Sequence, residues 1–108
     1  MQIVVVSADR LFITAVQGLA GAMGHTVRVS ALLADVPAYD LLIVDGALEG
    51  ALLGVGGEPP TAMRTAIFAP EILLAAAHAT GVAHIHLRSS LAHHLPRLLS
   101  EYASAEPR

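Results

Sequence analysis

Ile3 to Val6 is an unbroken β-branched apolar run, the signature of a strand covered on both faces rather than one with a wet side. Leu41 to Asp45 repeats the pattern and ends in a carboxylate, and Ala66 to Ala69 repeats it again. Thr26 to Val29 and Val82 to Leu87 supply two further strands. Helical spacing fills the intervals. After Asp9, a natural N-cap, Leu11, Ala15, Leu19, Ala22 and Met23 recur at helical spacing until Gly24 ends the segment. Ala31 to Val36 has room for one or two helical turns before Pro37 stops them. A short helix is expected over Ala47 to Leu53, then a loop through Gly54, Gly56, Gly57, Pro59 and Pro60. Pro70 and Glu71 open a helix that reaches Ala79, with Gly81 just past its end. Leu91, Leu95, Leu98 and Tyr102 stripe a last helix, which Pro96 should kink or delay. The domain is expected to span residues 1–103, with 104–108 a disordered tail.

Five strands alternating with helical segments in 108 residues define a single α/β domain, a doubly wound parallel sheet with helices on both faces. Composition agrees. Apolar residues make up 55% and charged residues 14% of the chain, enough apolar side chains to bury several faces. The longest stretch free of Asp, Glu, Lys and Arg, between Arg10 and Arg28, contains Gln17, Gly18, Gly21, Gly24, His25 and Thr26, a poor membrane span. The opening residues lack a basic segment, so a secretory leader is not expected and a cytoplasmic setting is. Without cysteine there is no disulfide, thiolate metal site or cysteine nucleophile. A net charge of -3 with no basic run gives no electrostatic footprint for nucleic acid.

In sheets of this kind, chemistry sits beyond the carboxyl ends of the strands. Those ends carry Ser7, Ala8 and Asp9, then Asp45 and Gly46, then Ala69, then Arg88. No glycine fingerprint follows the first strand, so a dinucleotide has no close-approach turn. The glycine-rich stretch at Gly54 lacks the Lys and Ser/Thr of a phosphate loop. Asp45 has three open roles: a turn or cap residue at the strand end, a reactive carboxylate, or an unreactive interaction residue. Arg88 could pair with Asp45 directly, a fixed cation in the pocket. Among six histidines, His84 and His86 share a strand face and His93 and His94 follow. Two imidazoles supply two metal ligands at most, while His93 and His94 diverge by about 100° on a helix. Partly exposed polar residues on an edge strand are the simpler reading.

These strand ends resemble the receiver domain of bacterial response regulators, the CheY-like, flavodoxin-like fold. Ile3 to Phe12 is similar to that family's first strand and turn. Tyr39 to Asp45 is similar to the strand bearing its phospho-acceptor aspartate. Ala75 to Arg88 is similar to its fourth helix, glycine turn and fifth strand. The resemblance implies strand order 2-1-3-4-5, with Asp45 in the phospho-acceptor position. The departures are as informative as the match. Two acidic residues that would hold Mg2+ with the acceptor are replaced by Ser7 and Ala8, leaving Asp9 one residue further on. The hydroxyl residue after the fourth strand is Ala69, and the lysine after the fifth is Arg88, followed by Ser89 where the family has proline. Mg2+ binding should be weak or absent, and no other cofactor is implied.

The expectation is therefore a degenerate, receiver-like signalling module that recognises protein and does not catalyse. Its partner would be another protein, an effector domain or a second copy, met through a face of Ile85, His86, Leu91, Leu95 and Leu98. Two alternatives stay open: a working phosphotransfer receiver using Asp45, and a small α/β enzyme or ligand binder. The second lacks an assembled nucleophile and base.

Overall fold

The computed structural model describes residues 2–30, 39–47, 65–82 and 84–105. Within them lie β1 (Gln2–Val6), α1 (Arg10–Ala22), β2 (Thr26–Ser30), β3 (Leu41–Asp45), β4 (Thr65–Ala69), α2 (Leu74–His78), β5 (His84–Leu87) and α3 (Leu91–Ala105). Every strand pair is parallel and the sheet order is β2-β1-β3-β4-β5, as expected. The turns expected over Ala31 to Val36, the helix over Ala47 to Leu53 and the glycine-rich loop at Gly54 lie outside the described residues, apart from Ala47.

The period-two alternation of a strand explains the unbroken apolar runs. Ile3, Val5, Leu41, Ile43, Ala66 and Phe68 face one side and pack against α1 and α3; Val4, Val6, Leu42, Val44, Ile67 and Ala69 face the other, where Ala77 of α2 and Val82 lie. Both faces are dry. β1, β3 and β4 are therefore the centre of the sheet, and their carboxyl ends carry Ser7, Asp45 and Ala69 to one edge.

The helices depart from the expected pattern in phase. In α1 the buried residues are Phe12, Val16 and Ala20, with Leu19 partly buried, whereas Leu11 is 83% exposed and Ala15, Ala22 and Met23 face solvent. Two apolar stripes satisfy the same period in this segment, and packing against Phe68 and α3 selects between them. Asp9 caps the helix by accepting from the Leu11 N–H at 2.9 Å. The exit needs Gly24, whose φ of +82° is open to glycine at no steric cost.

The helix expected from Pro70 to Ala79 is split into a 3-10 turn, Glu71–Leu73, and α2, with Pro70 outside as the cap residue. β5 starts at His84, two residues later than expected. Pro96 does not delay α3, which starts five residues before it. Leu95, Leu98 and Leu99, all buried around it, hold the helix where one ladder bond is missing. α3 runs to Ala105, so the first two residues of the expected tail are helical.

Candidate functional site

The pocket at the carboxyl edge is built from four neighbouring strand exits, those of β1, β3, β4 and β5. Ser7 follows β1 and is 1% exposed; its hydroxyl donates to Asp45 Oδ2 at 2.7 Å and accepts from the Asp9 N–H at 3.0 Å. Asp45 ends β3 and is 2% exposed, its Oδ1 accepting from the Ala47 N–H at 2.9 Å. Both carboxylate oxygens are thus engaged before any cation is considered.

The cation is Arg88, the first residue beyond β5. Its Nη2 donates to Asp9 Oδ2 at 2.6 Å, and its Nε lies 3.4 Å from Asp45 Oδ1. The guanidinium also lies over the Phe12 ring, 4.9 Å from the centroid, a cation–π arrangement. A planar fork of donors can span two carboxylates that a lysine point charge cannot. The hydrogen bond from Arg88, followed by that from the Leu11 N–H, holds the Asp9 carboxyl below the usual aspartate range. Of the roles open to Arg88 in the sequence, the structure has it within ion-pair distance of Asp45, and Asp9, expected to cap α1, also takes the shorter contact of the bridge.

Two parts of the pocket take roles that the sequence alone did not assign to them. Phe12 forms the floor under Arg88, at one turn from the N-cap. Gly46 closes the β4 side: a Cβ there would come within 2.6 Å of Ala69 Cβ and 3.0 Å of Ala69 Cα. Ala69, in the position expected for a hydroxyl, is fully buried against that glycine.

These residues do not fit the Mg2+ ion that the fold family implies. Mg2+ asks for hard anionic oxygens in near-octahedral order. Ala8 has none, the Ser7 proton is committed to Asp45, and both aspartates face a guanidinium that repels a second cation. Among the described residues no group of three His, Asp or Glu side chains is placed to hold a metal ion elsewhere.

The expected partner face is brought together only in part. Leu91, Leu95 and Leu98 are 6%, 0% and 4% exposed and belong to the core against α1 and the sheet; the stripe on α3 serves the domain itself. Ile85 packs on the opposite core, beside Leu73 and Leu74, and His86 is half-buried on the α3 side. No helix among the described residues is long and apolar enough to cross a membrane.

No family model and no curated protein matches this sequence. Solved structures do match its fold. A response regulator from Thermotoga maritima superposes with a TM-score of 0.70 at 19% identity, covering 96% of this chain and 98% of its own. The phosphorylated cyanobacterial phytochrome response regulator RcpA gives 0.70 at 13% identity, with 98% and 96% covered. An orphan response regulator of H. pylori gives 0.67 at 13%, with 96% and 94% covered. The fold is that of response-regulator receiver domains, over essentially the whole chain.

Proposed function

We propose that this chain is an atypical, receiver-like signalling domain that works by protein–protein contact, without Mg2+-dependent phosphorylation of Asp45. The observation that carries the reading is the Arg88 bridge from Asp9 to Asp45. A receiver switches when a phosphoryl group and a dication alter the charge beside the acceptor. Here a permanent cation occupies that place, and a phosphoryl group on Asp45 would require the carboxylate to give up the Ser7 or Ala47 hydrogen bond first. Among the structural neighbours, RcpA is described as phosphorylated and another response regulator as Mn2+-bound. Neither property carries over to a pocket with Ser7 and Ala8 at the strand exit. The ligand of the module is a protein partner, an effector domain or a second copy, with the β5 edge of the sheet as the contact. The setting is cytoplasmic.

Amide NMR titration with Mg2+, then with beryllofluoride as a phosphoryl mimic, tests the reading. The Ser7, Asp45, Ala47 and Arg88 resonances are expected to stay in place. Large, saturable shifts at those residues would establish the phosphotransfer alternative instead. Sedimentation across a concentration series tests the second-copy arm, and a monomer throughout removes it.

A further inference from the structure

The seam between β5 and α3 contains imidazoles where the rest of that core layer is apolar. His86 of β5 lies between two rings. On the sheet side is the buried Phe68, at 5.4 Å between centroids; on the helix side is His94, at 4.3 Å and 17°, a face-to-face stack. His93 meets the outer ring edge-on at 4.9 Å. We propose that the His86–His94 stack is a proton-operated latch: the neutral rings hold the first half of α3 against β5, and protonation of the pair releases it. This device is separate from the Arg88 bridge and does not depend on it.

Stacked neutral imidazoles are held by dispersion and by shared exclusion of water. One proton between them is tolerable, since an imidazolium can lie against a neutral ring. Two imidazolium rings at this separation repel, so the second proton is taken up only if the rings part. Among the described residues, the rings that touch the stack bring no negative charge to it. His84 lies two residues away on the same strand face, His93 adds a fourth imidazole from α3, and Phe68 of β4 is uncharged. Further along α3, Arg97 and Glu101 are solvent-exposed.

Burial first, then the charges of His94 and His84, hold His86 below the ordinary histidine range. The sign of the pH effect follows. A histidine whose pKa is lower in the folded than in the unfolded chain stabilises the fold above the unfolded value, about 6.5. That contribution is lost as pH falls from there through the folded value. Neutral conditions keep the latch shut and mild acid opens it, in the manner of other histidine-cluster sensors.

The test is an NMR titration of the histidine ring resonances together with the backbone amides of β5 and α3, from about pH 7.5 to about pH 5. His86 is expected to titrate below the ordinary histidine value, while the Leu91 to Leu95 amides shift in the same step. An ordinary titration of His86, or α3 amides that do not move, would overturn the latch. The variant His94→Phe keeps a ring on His86 and removes its charge. Its loss of melting temperature over that range should be no more than about half that of the unaltered chain, and an equal loss would also overturn the proposal. Should this variant fail to fold, the titration of the unaltered chain decides alone.

Discussion

Arg88→Ala removes the cation beside a buried carboxylate, and its cost can be worked from the geometry. Breaking a fully buried ion pair by deleting one partner costs about 3–5 kcal/mol. Two facts reduce that here. The Arg88 side chain is 26% exposed, so water reaches the vacated volume, and Asp45 keeps its hydrogen bonds from Ser7 and Ala47. A loss of about 1.5–3 kcal/mol remains for Asp45. Losing the contact with Phe12 adds about 0.5–1 kcal/mol. The bridge to Asp9 faces solvent, salt screens it, and it enters no part of this sum. The total of about 2–4 kcal/mol corresponds to a fall in melting temperature of roughly 8–16 °C for a domain of this size. Thermal unfolding by circular dichroism measures it, and a double-mutant cycle identifies its source. In an Asp45→Asn background the same substitution leaves only the solvent-facing Asp9 carboxylate unpaired and should cost only about 1 kcal/mol. A melting temperature unchanged within about 1 °C, or costs that simply add, would refute the view that Arg88 neutralises Asp45.

Three further outcomes follow from the same geometry. Gly46→Ala drives a Cβ into the Cβ and Cα of Ala69 and should cost about 1–3 kcal/mol in urea denaturation; a value near zero would mean the β4 side of the pocket is open. Leu95→Ala should cost about 2–5 kcal/mol, whereas Leu11→Ala should stay within about 0.5 kcal/mol, and the reverse order would place the partner-facing stripe on α3 after all. Asp9 has a lowered pKa, so the stability it supplies is complete above the unfolded value, about 3.9, and is lost as pH falls through the folded one. The advantage of the unaltered chain over Asp9→Asn should persist below about pH 4 and shrink in high salt; an advantage already gone at about pH 5 would argue against the bridge.

The sheet was legible because β1, β3 and β4 are buried on both faces, and in a chain this short a continuous β-branched or leucine run seldom forms anything but a covered strand. Phase was not. α1 offers Leu11, Ala15 and Leu19 as readily as Phe12, Val16 and Ala20, and only tertiary contact with Phe68 and α3 chooses the second set. The same blindness made the leucines of α3 look like a docking face: an apolar stripe shows that a helix is covered on one side, not by what. In the pocket, the identities at Ser7, Ala8, Asp45, Ala69 and Arg88 followed from the order of strand ends. The reach of Arg88 to Asp9 and the Phe12 platform beneath it depend on how the start of α1 meets the end of β5, a contact 79 residues apart along the chain.

The strongest check on the pocket's electrostatics runs in the opposite direction, by returning an acid to the strand exit. Ser7 is buried and its hydroxyl lies 2.7 Å from Asp45 Oδ2, so Ser7→Asp places a second carboxylate almost in contact with the first. The charge on the group formed by Asp9, Asp45 and Arg88 then goes from one excess negative charge to two, and the hydrogen bond that Ser7 donates is lost. Like charges sharing a buried site are relieved either by a proton, which raises one pKa, or by a divalent cation bridging them. In the presence of a chelator the variant should therefore melt below the unaltered chain, by roughly 2–4 kcal/mol in stability, and the deficit should narrow at lower pH. Added Mg2+ should restore stability in a saturable way, although Arg88 keeps the affinity low. The unaltered chain should show no such response. Equal melting temperatures for the two proteins, with Mg2+ without effect on either, would mean that Ser7 does not face Asp45 and that the pocket is not the closed electrostatic unit described above.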